Sequence, residues 1–472
     1  MNSYPLNKSE LKPFLNNFSE LRQVLIRFEY RSGFIQRLKD GYGIIHTPRR
    51  TLTYGNKNTE LLLSLFSDNK SFRKEIIDSI LGKNLTSNLI SVGFFIVDRE
   101  KSSLISTFRI IPVNQFLVLI PFRQFNNPPV YIGADSLSFA RHIQLFDQPK
   151  NILDLATGSG FQLFNLPWQG GTTSMLGLDI NPNAVQTGLI NSQINNTSWI
   201  SFEELDIESQ LSSLNAKFDL IIGNPPIIPT PESKLIKTRL GGMIHADGGR
   251  DGFSVIRSII PQLTSVLSDN GSLQLILCSL GDKSKLYIFQ ELENLLSENE
   301  LKGTLNIIKK IPVELDAYYR GQKDLNEYKR WIKFYKEENA TYWYRLILKA
   351  EKTYPFSKDT NLKLIQLIRN DFSAVPNQER ITIETIKSKI QFYLSDTLKQ
   401  NKPFDELAKY QNKINSVIDS ENWKKYSITD FGKILYQYLP DLFPTEGSAI
   451  RFWGQCTNEF WWKPKYLERV LW

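Results

Sequence analysis

The segment with the most specific chemical signal is Phe218-Asp-Leu-Ile-Ile-Gly-Asn224-Pro225-Pro226-Ile227. Its apolar start predicts a buried strand, and the two prolines impose an extended, stiff backbone without N–H donors. On such a backbone the Pro225 carbonyl and the Asn224 side-chain oxygen can converge and accept two N–H bonds from one amine or amide. Orienting that nitrogen at an electrophilic methyl carbon needs positioning and fixed dipoles rather than a strong base. Alternatively, the Asn-Pro-Pro sequence only ends the strand.

A second candidate segment ends another predicted strand in a glycine turn, Asp154-Leu-Ala156-Thr157-Gly158-Ser-Gly160. Glycine permits a tight backbone path and lets a ligand approach the main chain closely. Turns of this kind also occur for purely structural reasons. A leucine stands where the dinucleotide fingerprint has its third glycine, so the pattern leaves room for a nucleoside without a pyrophosphate.

Two acidic residues follow the next two predicted strands, in the pairs Asp179-Ile180 and Asp206-Ile207. Asp179 comes 25 residues after Asp154, and an acid at this strand tip can accept two hydrogen bonds from a ribose diol. Because an Asn-Pro pair follows it, Asp179 could instead cap a helix. Asp206 could accept from an adenine amine while Ile207 packs on the ring, although acids are common at loop tips.

The elements that position these residues are short apolar runs that alternate with helical stretches between Val130 and Lys352. This alternation predicts a parallel sheet with both faces covered, and enzymes of this kind bind ligands at the carboxyl ends of the strands. The fold class is therefore α/β, with a Rossmann-like, seven-stranded, doubly wound sheet. The strand-like runs are Ile152–Ala156, Met175–Asp179, Trp199–Phe202, Phe218–Ile222, Leu273–Cys278, Thr304–Ile311 and Thr341–Leu348.

Two flanking regions are predicted beside this domain, which spans residues 131–352. Residues 1–130 form an α+β region in which helices precede two β-like runs, Ile90–Val97 and Leu104–Leu119, an arrangement that suits a winged-helix-like module. This region carries 18 Lys and Arg against 10 Asp and Glu, a charge that could attract an anionic partner or form a solvated basic face. Residues 353–472 are mostly helical, with a tryptophan-rich tail typical of a segment docked on a hydrophobic surface.

The composition excludes several classes of protein. The chain has no apolar run of about 18 residues, so no membrane span is predicted, and its N-terminus lacks the layout of a signal peptide. Cys278 and Cys456 cannot build a disulfide framework, and with only three histidines a zinc site is not expected. The chain is therefore expected to be cytoplasmic and to hold no metal.

In their order along the chain, the segments at 154–160, 179–180, 206–207 and 224–227 resemble the class I S-adenosylmethionine-dependent methyltransferases. Within that class they are similar to the branch with an Asn-Pro-Pro-aromatic motif, which methylates nitrogen in adenine, cytosine or glutamine. The run Gly248–Arg257 resembles a segment of the release-factor glutamine methyltransferases, and Gly133–Phe139 resembles the segment that closes over the cofactor in relatives.

The resemblance implies S-adenosylmethionine as the cofactor and assigns roles to the candidate residues. Asp179 would hold the ribose, Asp206 the adenine and Asn224 the target nitrogen. The expected cofactor-binding residues are Asp154, Ala156, Thr157, Gly158, Gly160, Asp179, Ile180, Asp206, Ile207 and Asn224, and the expected catalytic residues are Asn224, Pro225, Pro226 and Ile227.

Ile227 departs from the family pattern, which usually has an aromatic residue at this position. An aromatic ring would stack on a flat target, and base–aromatic stacking is worth roughly 1–3 kcal/mol. The absence of this ring argues against a flipped nucleobase as the acceptor and weakens the assignment of a planar amide. It favours a non-planar amine, another nucleophile, or a stacking residue supplied from elsewhere. The leading interpretation is N-methylation of a protein side chain or a small metabolite.

Three alternatives stay open. A methyltransferase acting on RNA or DNA bases would use the basic N-terminal region and would bind nucleic acid in a salt-dependent way. An O-methylating enzyme would need a general base, and His245 is close enough in sequence to the Asn-Pro-Pro loop to be a candidate. A cofactor-binding scaffold without activity would not need the Asn-Pro-Pro turn.

Overall fold

The structure, a computed structural model, describes most of the chain. The described residues are 11–39, 56–98, 102–125, 130–145, 148–166, 174–231, 246–321, 324–352, 362–366, 386–387, 389–390, 394, 404–421 and 423–457. Among them, no helix is long and apolar enough to cross a bilayer.

The N-terminal part combines short helices with two small antiparallel sheets. Strand β3 pairs with both β1 and β2, and β4 pairs with β5 in a hairpin. The elements are α1 (Leu11–Arg27), α2 (Tyr30–Lys39), α3 (Lys57–Phe66), β1 (Phe72–Arg73), α4 (Lys74–Leu81), α5 (Lys83–Ser91), β2 (Phe95–Asp98), β3 (Ser103–Ser106), β4 (Phe108–Val113) and β5 (Phe116–Pro121).

This part differs from the predicted pair of β-like runs. The run Ile90–Val97 becomes a strand only from Phe95, because Ile90 belongs to α5. The run Leu104–Leu119 is divided into three strands, and Asn114 adopts a positive φ of 47° at the turn between β4 and β5. The winged-helix-like character and the boundary at residue 130 stay predictions.

The central part contains a large sheet covered by helices on both faces. Its elements are α6 (Ala134–Ala140), β6 (Asn151–Leu155), α7 (Phe161–Asn165), β7 (Ser174–Asp179), α8 (Pro182–Ile194), β8 (Ile200–Glu204), α9 (Ile207–Gln210), β9 (Phe218–Gly223), α10 (Ser254–Val266), β10 (Leu267–Gly281), α11 (Phe289–Glu298), β11 (Leu301–Pro312), α12 (Val313–Arg320), α13 (Leu325–Glu337), β12 (Tyr342–Lys352) and β13 (Leu362–Gln366).

The strand order of this sheet is β13-β11-β12-β10-β9-β6-β7-β8. Strands β10, β9, β6, β7 and β8 are parallel, whereas β12 runs antiparallel to both β10 and β11. The seven predicted strands are all present in the Rossmann-like arrangement. The described residues add an eighth strand, β13, and the antiparallel β12 departs from the parallel sheet that the alternation predicted.

The strands are apolar because both faces of the sheet are covered. Successive side chains point to opposite faces, so Ile152 and Leu220 join one hydrophobic core, whereas Leu153 and Ile221 join the other. This two-sided burial explains why the strands read as continuous apolar runs.

The N-terminal hairpin is joined to the central sheet through two asparagines of α8. Asn191 accepts a hydrogen bond from the Leu119 N–H at 2.8 Å and donates one to the Leu119 carbonyl at 3.0 Å. Asn195 makes the same pair of bonds with Leu117, at 3.0 and 2.8 Å. The two amide side chains therefore satisfy the backbone of edge strand β5 as a neighbouring strand would.

The C-terminal part, where it is described, contains helices α14 (Phe404–Ser420), α15 (Ile428–Tyr438) and α16 (Glu446–Thr457). Trp453 is fully buried in α16, with its ring centroid 4.4 Å from that of Phe431. Lys433 forms an ion pair with Glu314 of α12 at 2.5 Å, so these helices pack on the central part. Trp461, Trp462 and Trp472 of the predicted tail lie outside the described residues.

Candidate functional site

The glycine turn after β6 has the backbone geometry that its sequence predicted. Ala156, Gly158 and Gly160 have positive φ angles of 54°, 59° and 77°. A Cβ atom at Gly160 would lie 2.6 Å from Cζ of Phe202, so only glycine fits there. Ala156 adopts a conformation that costs a non-glycine residue about 1–3 kcal/mol, and such residues concentrate at functional sites.

Asp154 lies beneath this turn rather than on the surface of the site. Its side chain is 1% exposed and accepts a hydrogen bond from Oγ1 of Thr157 at 2.6 Å. The pKa of Asp154 is raised to about 7, mainly by burial and to a lesser extent by the nearby Asp179 charge. The Thr157 hydrogen bond acts in the opposite direction. Asp154 therefore supports the turn from below.

Asp179 connects the glycine turn to the start of α8. One carboxylate oxygen accepts from the Gly158 N–H and the other from the Asn181 N–H, both at 2.9 Å. Burial raises the pKa of Asp179, while these two hydrogen bonds lower it. The N-cap of α8 is Asn181, whose side chain accepts from the Asn183 N–H, so Asp179 is not the cap.

Asp206 is the N-cap of α9. Its carboxylate accepts from the Glu208 N–H at 3.0 Å and from Oγ of Ser209 at 2.7 Å. Ile207 follows with 7% exposure. The carboxylate of an N-cap aspartate still has lone pairs that can accept from a ligand. The capping role of Asp206 is therefore compatible with the predicted contact to the adenine amine.

Asn224 follows β9 and is held by the first turn of α6. Its side-chain nitrogen donates to Oδ2 of Asp135 at 3.0 Å and to Oγ of Ser136 at 3.1 Å. Its side-chain oxygen is buried and accepts no hydrogen bond from the described residues. Because both amide hydrogens are used, the Asn224 oxygen is an acceptor without a partner among the described residues, and its predicted contact with a target nitrogen stays a prediction.

The loop after the two prolines is held by the glycine-rich segment that precedes α10. The Ile228 N–H donates to the Ala246 carbonyl at 2.8 Å, and the Gly248 N–H donates to the Ile228 carbonyl at 3.0 Å. Gly249 and Gly252 have positive φ angles of 80° and 77°. Ile227 is 4% exposed, so its side chain packs inside the protein and presents no surface to a ligand.

A cavity of about 340 Å³ lies at the carboxyl ends of β6, β7 and β9, within the range of about 300–1,000 Å³ for small-molecule sites. Among the predicted residues, Asp154, Gly160, Pro225 and Ile227 do not line it. The lining residues are Val130, Tyr131, Asp135, Ser136, Ala156, Thr157, Gly158, Ser159, Phe161, Gln162, Asp179, Ile180, Asn181, Pro182, Ala184, Asp206, Ile207, Glu208, Asn224, Pro226, Asp247 and Val255.

The charges of this lining select among ligands. Five of the lining side chains are carboxylates, at positions 135, 179, 206, 208 and 247, and none is Lys or Arg. Such a surface disfavours phosphate groups and suits a cationic nucleoside with hydroxyl and amino donors. S-adenosylmethionine, which carries a sulfonium and an ammonium group, fits this lining, and a dinucleotide does not.

The sequence did not identify Asp135 and Ser136 as partners of Asn224. It only marked Gly133–Phe139 as similar to a segment that closes over the cofactor. A contact between residues 89 positions apart has no signal in one sequence. His245, the candidate base for O-methylation, lies outside the described residues, which contain no group of three or more potential metal ligands.

Comparisons with known proteins match the central part of the chain. A family model described as a methyltransferase domain matches residues 146–338. A putative protein N5-glutamine methyltransferase of Methanocaldococcus jannaschii is 32% identical over 162 residues, which cover 34% of this chain and 78% of that protein. A release factor glutamine methyltransferase of Bradyrhizobium diazoefficiens is 26% identical over 248 residues, which cover 48% and 80%.

One similar solved structure is that of a putative methyltransferase from Bacillus halodurans. It is 15% identical, and the alignment covers 47% of this chain and 99% of the other, with a TM-score of 0.31.

Proposed function

The chain belongs to the class I S-adenosylmethionine-dependent methyltransferases, and we propose that its acceptor is the side-chain amide of a glutamine in another protein. The observation that carries this proposal is the fixed orientation of Asn224. Its two amide hydrogens are engaged by Asp135 and Ser136, and its buried oxygen has no donor among the described residues. A primary amide, which has two N–H donors, complements such an acceptor.

The two similar proteins named above support the choice of glutamine over other amides. One is named as a protein N5-glutamine methyltransferase and the other as a release factor glutamine methyltransferase. The proposed acceptor of this chain therefore rests on the geometry of Asn224 and on these names together.

The cofactor residues are proposed from the same cavity. Asp179 would accept from the ribose hydroxyls, and Asp206 with Ile207 would hold the adenine, because all three line the cavity next to the glycine turn. When bound, S-adenosylmethionine supplies a methyl group attached to a positively charged sulfur. Asp154 and Gly160 would contribute indirectly, by shaping the turn that carries Thr157 and Gly158.

Catalysis in this proposal depends on orientation. The Asn224 oxygen would accept one N–H of the glutamine amide. The Pro225 carbonyl, although Pro225 does not line the cavity, would accept the other, and the two bonds would direct the nitrogen lone pair at the methyl group. As the new C–N bond formed and the bond between sulfur and the methyl carbon broke, with its electron pair left on the sulfur, the amide nitrogen would become more acidic and would release one proton to solvent. No strong base is required, because acceptor oxygens that are already fixed stabilise the developing positive charge.

Tyr131 is proposed to replace the missing aromatic residue of the Asn-Pro-Pro motif. Ile227 is buried, whereas Tyr131 lines the cavity beside Asp135 with 43% of its surface exposed. A planar amide can stack on such a ring. The departure at Ile227 is therefore compatible with a flat acceptor.

The test is a methyl-transfer assay with S-adenosylmethionine on three acceptor pools, namely a purified release factor, glutamine-containing peptides and total RNA. We expect a single added methyl group on a glutamine, located by peptide fragmentation in a mass spectrometer. Asn224→Ala should abolish this product, and Asn326→Ala, which changes an exposed asparagine of α13, should not. Methylation of RNA alone, or of lysine alone, would refute the proposal.

A further inference from the structure

A row of three side chains crosses the sheet next to the proposed acceptor position. Cys278 of β10 lies opposite Arg345 of β12, and Arg345 lies opposite Lys309 of β11. Residues directly opposite each other in antiparallel strands point to the same face of the sheet. The row therefore places a guanidinium and an ammonium group side by side.

The row lies at the level of the Asn-Pro-Pro loop. Gly223, the last residue of β9, lies opposite Leu275 of β10. Cys278 is three residues farther along β10, or about 10 Å at 3.3 Å per residue, in the direction that the chain takes after Gly223. Arg345 on β12 and Lys309 on β11 therefore lie two and three strands away from β9, the strand that ends in the loop with Asn224.

The charges of Arg345 and Asp135 act on the same two side chains, Tyr131 and Cys278. Burial raises the pKa of Tyr131, the Asp135 carboxylate raises it further and the Arg345 guanidinium lowers it. Burial likewise raises the pKa of Cys278 to about 12. The Arg345 charge acts to lower this pKa and the Asp135 charge acts to raise it. Tyr131 and Asp135 line the cavity, and the strand register places Arg345 two strands away from the end of β9, at the same end of the sheet as Asn224.

Neither cation of the row has an ion-pair partner among the described residues. Nε of Arg345 is buried without a hydrogen bond, and its guanidinium carbon lies 5.3 Å above the Trp343 ring. Asp316 of α12, whose charge acts on Lys309, is already engaged by Arg320 at 2.5 Å and by the hydroxyl of Tyr335. The row therefore keeps an excess of positive charge.

This arrangement is unfavourable without an anion. Burial and the Arg345 charge together lower the pKa of Lys309 to about 8, although the Asp316 charge acts in the opposite direction. Both side chains are only partly exposed, so water screens their repulsion less than at an open surface. An anion that bound between the two cations would relieve this repulsion.

We propose that Arg345 and Lys309 form a subsite for a carboxylate of the acceptor protein, beside the amide that is methylated. The planar fork of an arginine matches a carboxylate with two parallel hydrogen bonds. The proposal rests on the proposed function, because it assumes a protein acceptor. A single carboxylate suits this place better than a nucleic acid, since the neighbouring cavity carries five carboxylates that repel a polyanion.

The test uses the full chain with S-adenosylhomocysteine, so that binding is measured without turnover. A pool of peptides with a central glutamine and randomised flanks is incubated with the protein, and bound peptides are identified by mass spectrometry. We expect Asp or Glu to be enriched at a fixed distance from the glutamine. The selected peptide should bind roughly 10–100-fold more tightly than its counterpart with the acid changed to the amide.

Variants then locate the contact. Arg345→Gln and Lys309→Gln should remove the preference for the acidic peptide. Lys310→Gln is the matched control, because it removes the same charge from the next residue of β11, whose side chain points to the opposite face, towards Tyr342 and Tyr344. Thermal unfolding of each variant checks that it is folded.

The outcomes separate this inference from the proposed function. An acidic preference that depends on Arg345 supports the subsite even if no peptide is methylated, in which case glutamine methylation fails alone. Methylated peptides without an acidic preference overturn the subsite and leave the proposed function intact. No enrichment of any peptide also overturns it, as does Arg345-dependent binding of a mixed-sequence RNA in place of the peptides.

Discussion

The side-chain nitrogen of Asn224 donates to a carboxylate oxygen of Asp135 at 3.0 Å, although 89 positions separate the two residues. This contact determines which end of the Asn224 amide faces the acceptor. A rotated amide would present its nitrogen, a donor, to the N–H groups of the acceptor and would repel them. In the proposed mechanism, Asp135 would therefore be a positioning residue for methyl transfer.

Asp135→Asn is expected to lower kcat roughly 10–100-fold, because a hydrogen bond to a charged group is worth about 1.5–3 kcal/mol. Cofactor affinity should change much less. The double variant Asp135→Asn with Asn224→Asp exchanges donor and acceptor, so it should recover part of the lost rate, whereas Asn224→Asp alone should be worse than either. Steady-state kinetics on the identified acceptor measure all three, and an unaltered kcat in Asp135→Asn would show that Asn224 keeps its orientation without Asp135.

Most of the fold and part of the site could be predicted from the sequence. The seven strands and the positions of Asp179, Asp206 and Asn224 at their ends follow from apolar runs and turn residues, which are local signals. The antiparallel direction of β12 was not predicted, because an apolar strand carries no mark of its direction. Its direction depends on which neighbour it pairs with.

Contacts between distant segments were the main limit of the sequence analysis. Asp154 had the expected spacing but lies beneath the turn, because its carboxylate is satisfied by Thr157. Ile227 was predicted to be a catalytic residue. The segment Ala246–Gly249 packs on its loop, and the Ile227 side chain is buried. Neither burial can be inferred without knowing what packs against the residue.

Asp179→Ala is expected to weaken binding of S-adenosylhomocysteine roughly 10–100-fold, through the loss of hydrogen bonds worth about 1.5–3 kcal/mol. It should also lower the melting temperature, since Asp179 holds the N–H groups of Gly158 and Asn181. Asp324→Ala is the control, because Asp324 accepts two backbone N–H bonds at the start of α13, away from the cavity. Calorimetric titration shows whether Asp179 contributes to cofactor binding or only to folding. Equal affinities of the two variants for S-adenosylhomocysteine would mean that the role of Asp179 is structural.

Asn191 and Asn195 provide a pair of variants that separates docking of the hairpin from support of the cofactor turn. Both bind β5, but only Asn191 also donates to the Ser159 carbonyl in the glycine turn, at 3.1 Å. Each change to alanine should destabilise the fold by about 1–3 kcal/mol, because backbone groups lose their partners. Only Asn191→Ala should also weaken cofactor binding. Urea unfolding and calorimetry measure the two effects, and the same affinity in both variants would exclude a link between the hairpin and the turn.

The pH dependence of folding and of cofactor binding should both involve Asp154. Its pKa of about 7 in the folded protein is above the value near 3.9 of an unfolded chain. The folded state therefore holds a proton that the unfolded state releases, so this group's contribution to stability is fully present below about pH 4 and is lost as the pH rises to about 7.

Cofactor binding should have the opposite dependence on pH. A cation close to the turn favours the ionised form of Asp154, so binding releases a proton and weakens as the pH falls below about 7. Titrations in buffers of different ionisation enthalpy measure this proton, and urea unfolding between about pH 4 and pH 7 measures the change in stability. Asp154→Asn keeps an acceptor for Thr157 and should remove both dependences. If the variant retains both pH dependences, another group in the site titrates. Asp179 is the next acid to test, because its charge acts on Asp154.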